Sequence, residues 1–380
     1  MRLSGFARVG RSGLLMLLLP MAGASAGEPG APLPEPLTLS AALSLADAAH
    51  PDVALVAADN AARRADQLAV EALTGTRARF APDDEADGLL IVHARQHRRT
   101  KILRCYLSVL LADLAFALQS EATAIAYVRM DRARQRYALG QVSDIALAER
   151  ASHYQSMRRK RYAAESAQRA SRSRLALALN RPGELASVLI APRLPGNEAT
   201  RTALEQLETR ALARNTRLRA LRLRMGAAHQ RLEAARAAAS STPRGDGQDS
   251  GATLSPARLL KVAVSRYQAQ LAQVQGQLDK TQLGVRQAIL DAWLELETLY
   301  VAREEDTGYA DYRDLYLDLS RALYEQEINA DLGDAMVKTS EARLRSARTE
   351  FAIARTWARI GLLTGVSPED MSADILGTEP

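Results

Sequence analysis

Cysteine, aromatic residues and turn-formers are all scarce in this 380-residue chain. Cys105 is the single cysteine, so no internal disulfide can form, and its position excludes a lipidated cysteine directly after a leader. Aromatic residues make up only 4%, with Phe 4 and Trp 2, poor provision for the aromatic girdles of a membrane β-barrel. Gly 22 and Pro 14 are too few for an all-β chain with many tight turns. Hydrophobic residues at 47% and charged residues at 25% exclude wholesale disorder. What is abundant is Ala, Leu, Arg, Glu and Gln, the strong helix formers. The composition predicts an all-α protein, long enough for one large domain or two to three ordinary ones.

The first 26 residues read as a secretory signal. Arg2, Arg8 and Arg11 supply the basic start, Leu14 to Leu19 the apolar run, and Ala24-Ser25-Ala26 a small-residue cleavage site. The alternative is an N-terminal membrane anchor, for which the apolar run is short. No later stretch reads as long or apolar enough to span a bilayer as a helix. A Pro-rich lead-in follows (Pro29, Pro32, Pro34, Pro36) and should be extended. The net charge of +6 is inflated by the three signal arginines. The remaining arginines are interleaved with Glu and Asp along helices, and export adds to the case against a nucleic-acid partner. The most basic run, Arg158-Arg159-Lys160-Arg161, reads as a solvated helix face.

Helical periodicity runs almost throughout. Leu103, Leu107, Leu110, Leu114 and Ala117 step by four and three, and Leu271, Val274, Leu278, Val285 and Ala292 hold a heptad phase. A narrow apolar stripe with charges between is a coiled-coil seam, and predicts long helices packed side by side. Cys105 should pack between Leu103 and Leu107 as a small hydrophobe. Breaks fall at 74–88, which holds Gly75, Pro82 and the acids Asp83, Asp84, Glu85 and Asp87, at 180–199, and at 240–256. From Pro256 to about Gln326 no proline interrupts, which predicts one helix on the order of 105 Å long.

The chain also repeats itself. Each half opens with an amphipathic helix, Leu37 to Leu73 and Thr200 to Ala239. A longer helix and a short polar break follow, then a further helix and a Leu-rich stop. At the breaks, Tyr137 and Tyr324, Asp144 and Asp331, and Ile145 and Leu332 align at one offset. The expected boundaries are a signal at 1–26, a lead-in at 27–36, repeats at 37–190 and 200–367, a linker at 191–199 and a tail at 368–380.

This order, with its RY-x-x-G-x-x-S-D turn (Arg136 to Asp144) and the openings Leu37-Thr38-Leu39-Ser40-Ala41-Ala42-Leu43 and His50-Pro51-Asp52-Val53, resembles the TolC-like outer membrane factor family. The likeness covers about residues 37–367. It implies two tandem repeats of long antiparallel coiled-coil-like helices, one protomer of a trimeric α-barrel in the periplasm. It further implies an exit duct of a tripartite efflux or type I secretion system, with a periplasmic adaptor (membrane fusion) protein and an inner membrane transporter as partners. Association with the outer membrane follows from the same likeness. The turn would be the adaptor-docking tip, carried by Tyr137, Gly140, Val142, Ser143 and Asp144. Gly140 suits a tight reversal, and Ser143 or Asp144 can cap the returning helix. On chemistry alone any helix–turn–helix cap reads the same. In the second turn Glu327 stands where the first has Gly, and Ala330 where it has Ser. Asp331 and Asp334 remain, and in three chains would ring the tunnel mouth as a gate. Ordinary first-turn acids look alike.

Members of the family insert a β-hairpin in each repeat to build a membrane barrel. Neither slot here, at 74–88 or 240–256, holds two strands of about 9–11 alternating residues. Leu89 to Val92 offers one short strand or the start of a helix. The barrel is therefore expected to be shortened or missing, and a non-conducting periplasmic coiled-coil scaffold is the second reading.

Nothing in the sequence supports catalysis. His93 and His97 have helical i, i+4 spacing but sit among Arg95, Arg98, Arg99 and Lys101, which disfavour a metal cation, and they read as solvated. Glycine-rich phosphate loops and nucleophile motifs are not found. Glu304-Glu305-Asp306 reads as an exposed charge run, and Trp293 and Trp357 as packing. Neither an enzyme nor a cofactor is expected.

Overall fold

The computed structural model describes residues 32–47, 50–75, 82–192, 203–241, 255–326 and 331–366. The signal, residues 27–31 of the lead-in, much of the linker, the tail, and Glu327 and Ala330 lie outside them. From Pro34 onward the described residues belong to one unit.

Thr38 accepts the Ala41 N–H and starts α1, Leu39–Ser44, which runs into a 3-10 turn at Leu45–Asp47. His50 then caps α2, Pro51–Thr74, with its Nδ1 accepting the Asp52 N–H at 3.0 Å. Pro51 places residue 50 outside the helical region and suits the first helical position. The expected opening helix is thus interrupted. Its counterpart is interrupted too, into α5, Leu204–Arg214, and α6, Thr216–Ser241. Between them Asn215 is extended, its Oδ1 accepting the Leu218 N–H while its Nδ2 donates to the Leu363 carbonyl.

The long helices match expectation. α3 is Pro82–Ala138, α4 Asp144–Ala178, α7 Pro256–Glu325 and α8 Leu332–Thr364. The 70 residues of α7 form one rod on the order of 105 Å long. α3 lies against α4, α6 and α8, and α7 against α6 and α8. Among the described residues there is no strand, only a parallel bridge between Leu37 and Leu189, where Tyr106 Oη sits 2.8 Å from the Leu37 carbonyl and 2.6 Å from that of Ile190.

The core follows the predicted stripes with one change of line. Val274 is buried, and Leu278, Val285 and Ala292 form one cluster with Leu218, Ile289, Ile353 and Ile360. Trp293 and Trp357 pack on this cluster, and Trp357 Nε1–H donates to Tyr300 at 3.0 Å. In α3, Leu103, Leu107 and Leu110 are buried, but Leu114 and Ala117 are exposed, and Leu118, Ala126 and Met130 continue the buried line. A straight α-helix drifts from a strict heptad, so the buried row moves around the rod.

Three expectations need correction. First, the acidic cluster in the first break is not loop: Asp83, Asp84 and Glu85 lie in the first turn of α3, and Leu89 to Val92 continue it. Acids there suit the positive end of the helix dipole. Only residues 75–81 separate α2 from α3, less than a single membrane-spanning strand needs, and residues 242–255 between α6 and α7 leave no room for a second. Secondly, Asp306 is buried, ion-paired to Arg345 and accepting from Thr349 Oγ1 at 2.6 Å. Thirdly, α3 does contain an 18-residue window apolar enough to cross a membrane, with mean hydropathy 1.6. Leu and Val concentrate there because α3 has neighbours on several sides.

The corrected break hosts a charged core. Asp87, 2% exposed, is ion-paired to Arg63, to Arg64 Nε at 2.6 Å and to Arg224 at 3.0 Å. Arg231 from α6 pairs with Asp83, and Asn60 of α2 accepts from Arg224 at 2.8 Å. Burial pushes the Asp87 carboxyl up, but the Arg224, Arg64 and Arg63 guanidiniums outweigh it and hold it below the usual range. Four guanidiniums and two buried carboxylates thus fasten α2, α3 and α6 together.

Candidate functional site: the two helix tips

α3 ends in a glycine reversal that the sequence dictates. Gly140 has φ +71°, the Gln141 N–H reaches the Arg136 carbonyl at 2.9 Å, and the Gly140 N–H reaches that of Tyr137 at 2.9 Å. This pair of bonds satisfies carbonyls the helix end would leave open. Ser143 then caps α4, its hydroxyl accepting the Ala146 N–H at 3.3 Å. Asp144 enters the first turn and accepts from the Tyr137 hydroxyl, which raises the tyrosine pKa. The five residues singled out in the sequence are therefore brought together in one small frame, with Val142 half-buried beneath it.

The frame presents apolar side chains that the sequence reading did not single out. Leu139 is 72% exposed and Ile145 82%, with Tyr137 beside them. The signal was present: two large aliphatics flank a polar turn, and among the described residues nothing covers them.

The second tip is tied down. Asp331 caps α8, its carboxylate accepting the Asp334 N–H at 3.0 Å, and it is ion-paired to Arg129 on α3. Partial burial raises the Asp331 pKa, but Arg129 and the Asp334 amide hold it below its ordinary value. One turn away, a Cβ built on Gly333 would stand 3.0 Å from Ile125 Cγ2, so α8 begins in close contact with α3. Asp334 is exposed and feels the charges of Arg313 and Lys338. With alanine at position 330, the capping oxygen comes from Asp331, one position later than the Ser143 cap of the first tip. Asp331 and Asp334 are adjacent as expected, though Asp331 already has a cationic partner.

The histidines require a further correction. His93 is half-buried rather than solvated, with Nδ1 3.1 Å from Thr216 Oγ1 and its ring edge-on to His97 at 4.6 Å. Burial, then His97 and Arg217, lower its pKa to about 4.

A duplicated set of long paired helices is also the fold of solved outer membrane channels. The chain is similar to the outer membrane channel CmeC of Campylobacter jejuni, with TM-score 0.59 and 12% identity over 88% of this chain and 88% of that one. It is similar also to the outer membrane protein VceC of Vibrio cholerae, with TM-score 0.60 and 13% identity over 87% of this chain and 96% of that one. A membrane protein from Pseudomonas aeruginosa matches with TM-score 0.61 and 15% identity, over 86% and 93% of the two chains. No protein-family model and no curated protein matches the sequence. The likeness is one of fold: these proteins share the arrangement of long helices, and among the described residues of this chain there is no strand.

Proposed function

We propose that the protein is the TolC-like component of a tripartite efflux or type I secretion system, exported to the periplasm and associated with the outer membrane. Three copies form an α-helical exit duct, each contributing two tandem repeats, 37–190 and 200–367. The observation that carries this reading is an uncovered apolar stripe on α7. Leu283, Leu294, Val301, Leu315 and Leu319 are all at least half exposed. Their spacings of 11, 7, 14 and 4 residues put them on one helix face. The stripe runs about 54 Å along the rod. A monomer would leave it in water, whereas a ring of copies covers it.

In this reading Tyr137, Gly140, Val142, Ser143 and Asp144 hold the tip that meets the adaptor, with Leu139 and Ile145 as the contacting side chains. Asp331 and Asp334 lie at the tunnel mouth, and the Arg129 pair holds that tip against α3. The transported substrate passes from an inner membrane transporter. Because the interhelix links are too short for a barrel, a separate outer membrane component completes the exit.

The test is the mass and fraction of the exported protein. Lysis without detergent followed by light scattering is expected to give a trimer. A monomer would sink the duct and favour the second reading, a non-conducting periplasmic scaffold, which the short links at 75–81 and 242–255 support. At the tip, Leu139→Ser/Ile145→Ser should leave mass and helicity unchanged yet lose co-purification with the adaptor. Retained co-purification would place the docking surface elsewhere.

A further inference from the structure

A cleft of about 650 Å³ opens between α2, α3, α6 and α7, distant in sequence from both tips. That volume suits a ligand of metabolite size. α3 lines it with His93, His97, Lys101 and Arg104, spaced so that they share one face. α6 adds Arg217 and Arg224, and the carboxylates lining it are Asp52 and Asp59 of α2.

The cations outnumber these acids, and several are not used internally. Lys101 lies 3.6 Å from Asp52, and Arg224 pairs with Asp87 through Nη2. The buried Nε–H of Arg224, however, has no acceptor, and among the described residues neither Arg104 nor Arg217 has an ion pair. Arg217 lines the same cleft as His93 and His97, whose rings stand 4.6 Å apart, and its charge lowers the pKa of both. Guanidinium forks match planar carboxylate and phosphate oxygens.

We propose that this cleft binds a small multivalent oxyanion, a phosphate or a polycarboxylate, held by Arg104 and Arg217 beside His93 and His97. The site does not depend on the duct reading, since its residues belong to a single chain.

Proton linkage gives the site a signature that a diffuse basic surface lacks. The charged groups lining the cleft with the two rings are Arg98, Lys101 and Arg104 on α3, Arg217 and Arg224 on α6, and Asp52 and Asp59 on α2, while α7 offers the neutral Gln277. A bound anion favours protonated imidazole, so affinity should rise as pH falls.

The experiment is calorimetric titration of the exported full-length protein with pyrophosphate and, separately, citrate at pH 7. One saturable site per chain is expected for at least one of them, and which one distinguishes phosphate from carboxylate recognition. Arg217→Gln and His97→Gln, both exposed positions, should weaken it on the order of tenfold, equivalent to about 1.4 kcal/mol. Sulfate, a dianion throughout, should bind more tightly at pH 5.5 than at pH 8. Arg159→Gln/Lys160→Gln, on the solvated face of α4, should change nothing. Absence of saturation with both probes overturns the proposal. So does unchanged affinity in Arg217→Gln, an equal loss in the α4 variant, or sulfate affinity that does not rise at the lower pH.

Discussion

Asp87→Ala is expected to destabilise the fold by about 3–5 kcal/mol, the range for removing one partner of a buried ion pair. The reason is specific to its surroundings. Asp87 is almost fully buried and receives Arg63, Arg64 and Arg224, so its loss leaves cations without a counter-charge between α2, α3 and α6. Urea denaturation followed by helical circular dichroism should show the midpoint falling sharply. Asp84→Ala removes an exposed carboxylate paired with Arg64 at 2.7 Å and should cost well under about 1 kcal/mol. Equal effects in the two variants would show that the buried network contributes nothing special.

The same network sets an acid limit. The folded Asp87 pKa lies below its ordinary 3.8, so its contribution is present above pH 3.8 and is lost as pH falls through the folded value. His93 acts earlier. Its folded pKa of about 4 lies below the ordinary 6.5, so the unfolded chain takes up that proton first and stability declines between pH 6.5 and 4. Denaturation midpoints should therefore fall over the upper window, and less steeply in His93→Gln than in the parent, since His50 and His97 are also lowered and supply the remainder.

Gly365→Ala should cost about 3 kcal/mol or more, whereas Gly140→Ala should cost about 1–2 kcal/mol. Both glycines end a helix with nearly the same positive φ, +72° and +71°. The strain of a left-handed alanine is therefore common to both. The surroundings differ. A Cβ on Gly365 would stand 2.4 Å from the Arg214 carbonyl oxygen, a backbone atom that cannot swing aside, while nothing lies within 4 Å of one on Gly140. Thermal unfolding of the two variants, read by circular dichroism, checks this. Similar losses would mean that α8 does not press on α5 as closely as the structure shows. Asn180 illustrates the cheaper solution: it ends α4 at φ +60° without glycine, because asparagine tolerates that region.

Much of the architecture was legible because helices are local objects. Pro256 and Ser255 mark the start of α7, no proline follows for 70 residues, and the rod runs its full predicted length. The tip of α3 was equally readable, since Gly140 and Ser143 act through bonds to residues three to five positions away. The His50–Pro51 interruption was visible in the residues themselves, yet the opening helix was expected to run through it. Proline at the first helical turn is compatible with both a start and a continuation of an apolar pattern.

The failures share a cause. Asp83 to Asp87 looked like a loop because acidic clusters are soluble, and Asp306 looked exposed for the same reason. Each is buried because arginines arrive from another helix, Arg224 and Arg231 in one case and Arg345 in the other. Leu139 and Ile145 went unnoticed because exposure is a property of what fails to arrive.

What the sequence alone determined was the helical class, the duplication, the tip turn and the shortness of the hairpin slots, since these rest on propensity, capping and chain length. What only the tertiary structure decided was which charges are buried, that Arg129 anchors Asp331, that one face of α7 is uncovered, and that His93, Arg217 and Arg224 meet in one cleft. Those depend on contacts between different helices, from some twenty to two hundred positions apart, and one-dimensional periodicity carries no information about which rods lie side by side.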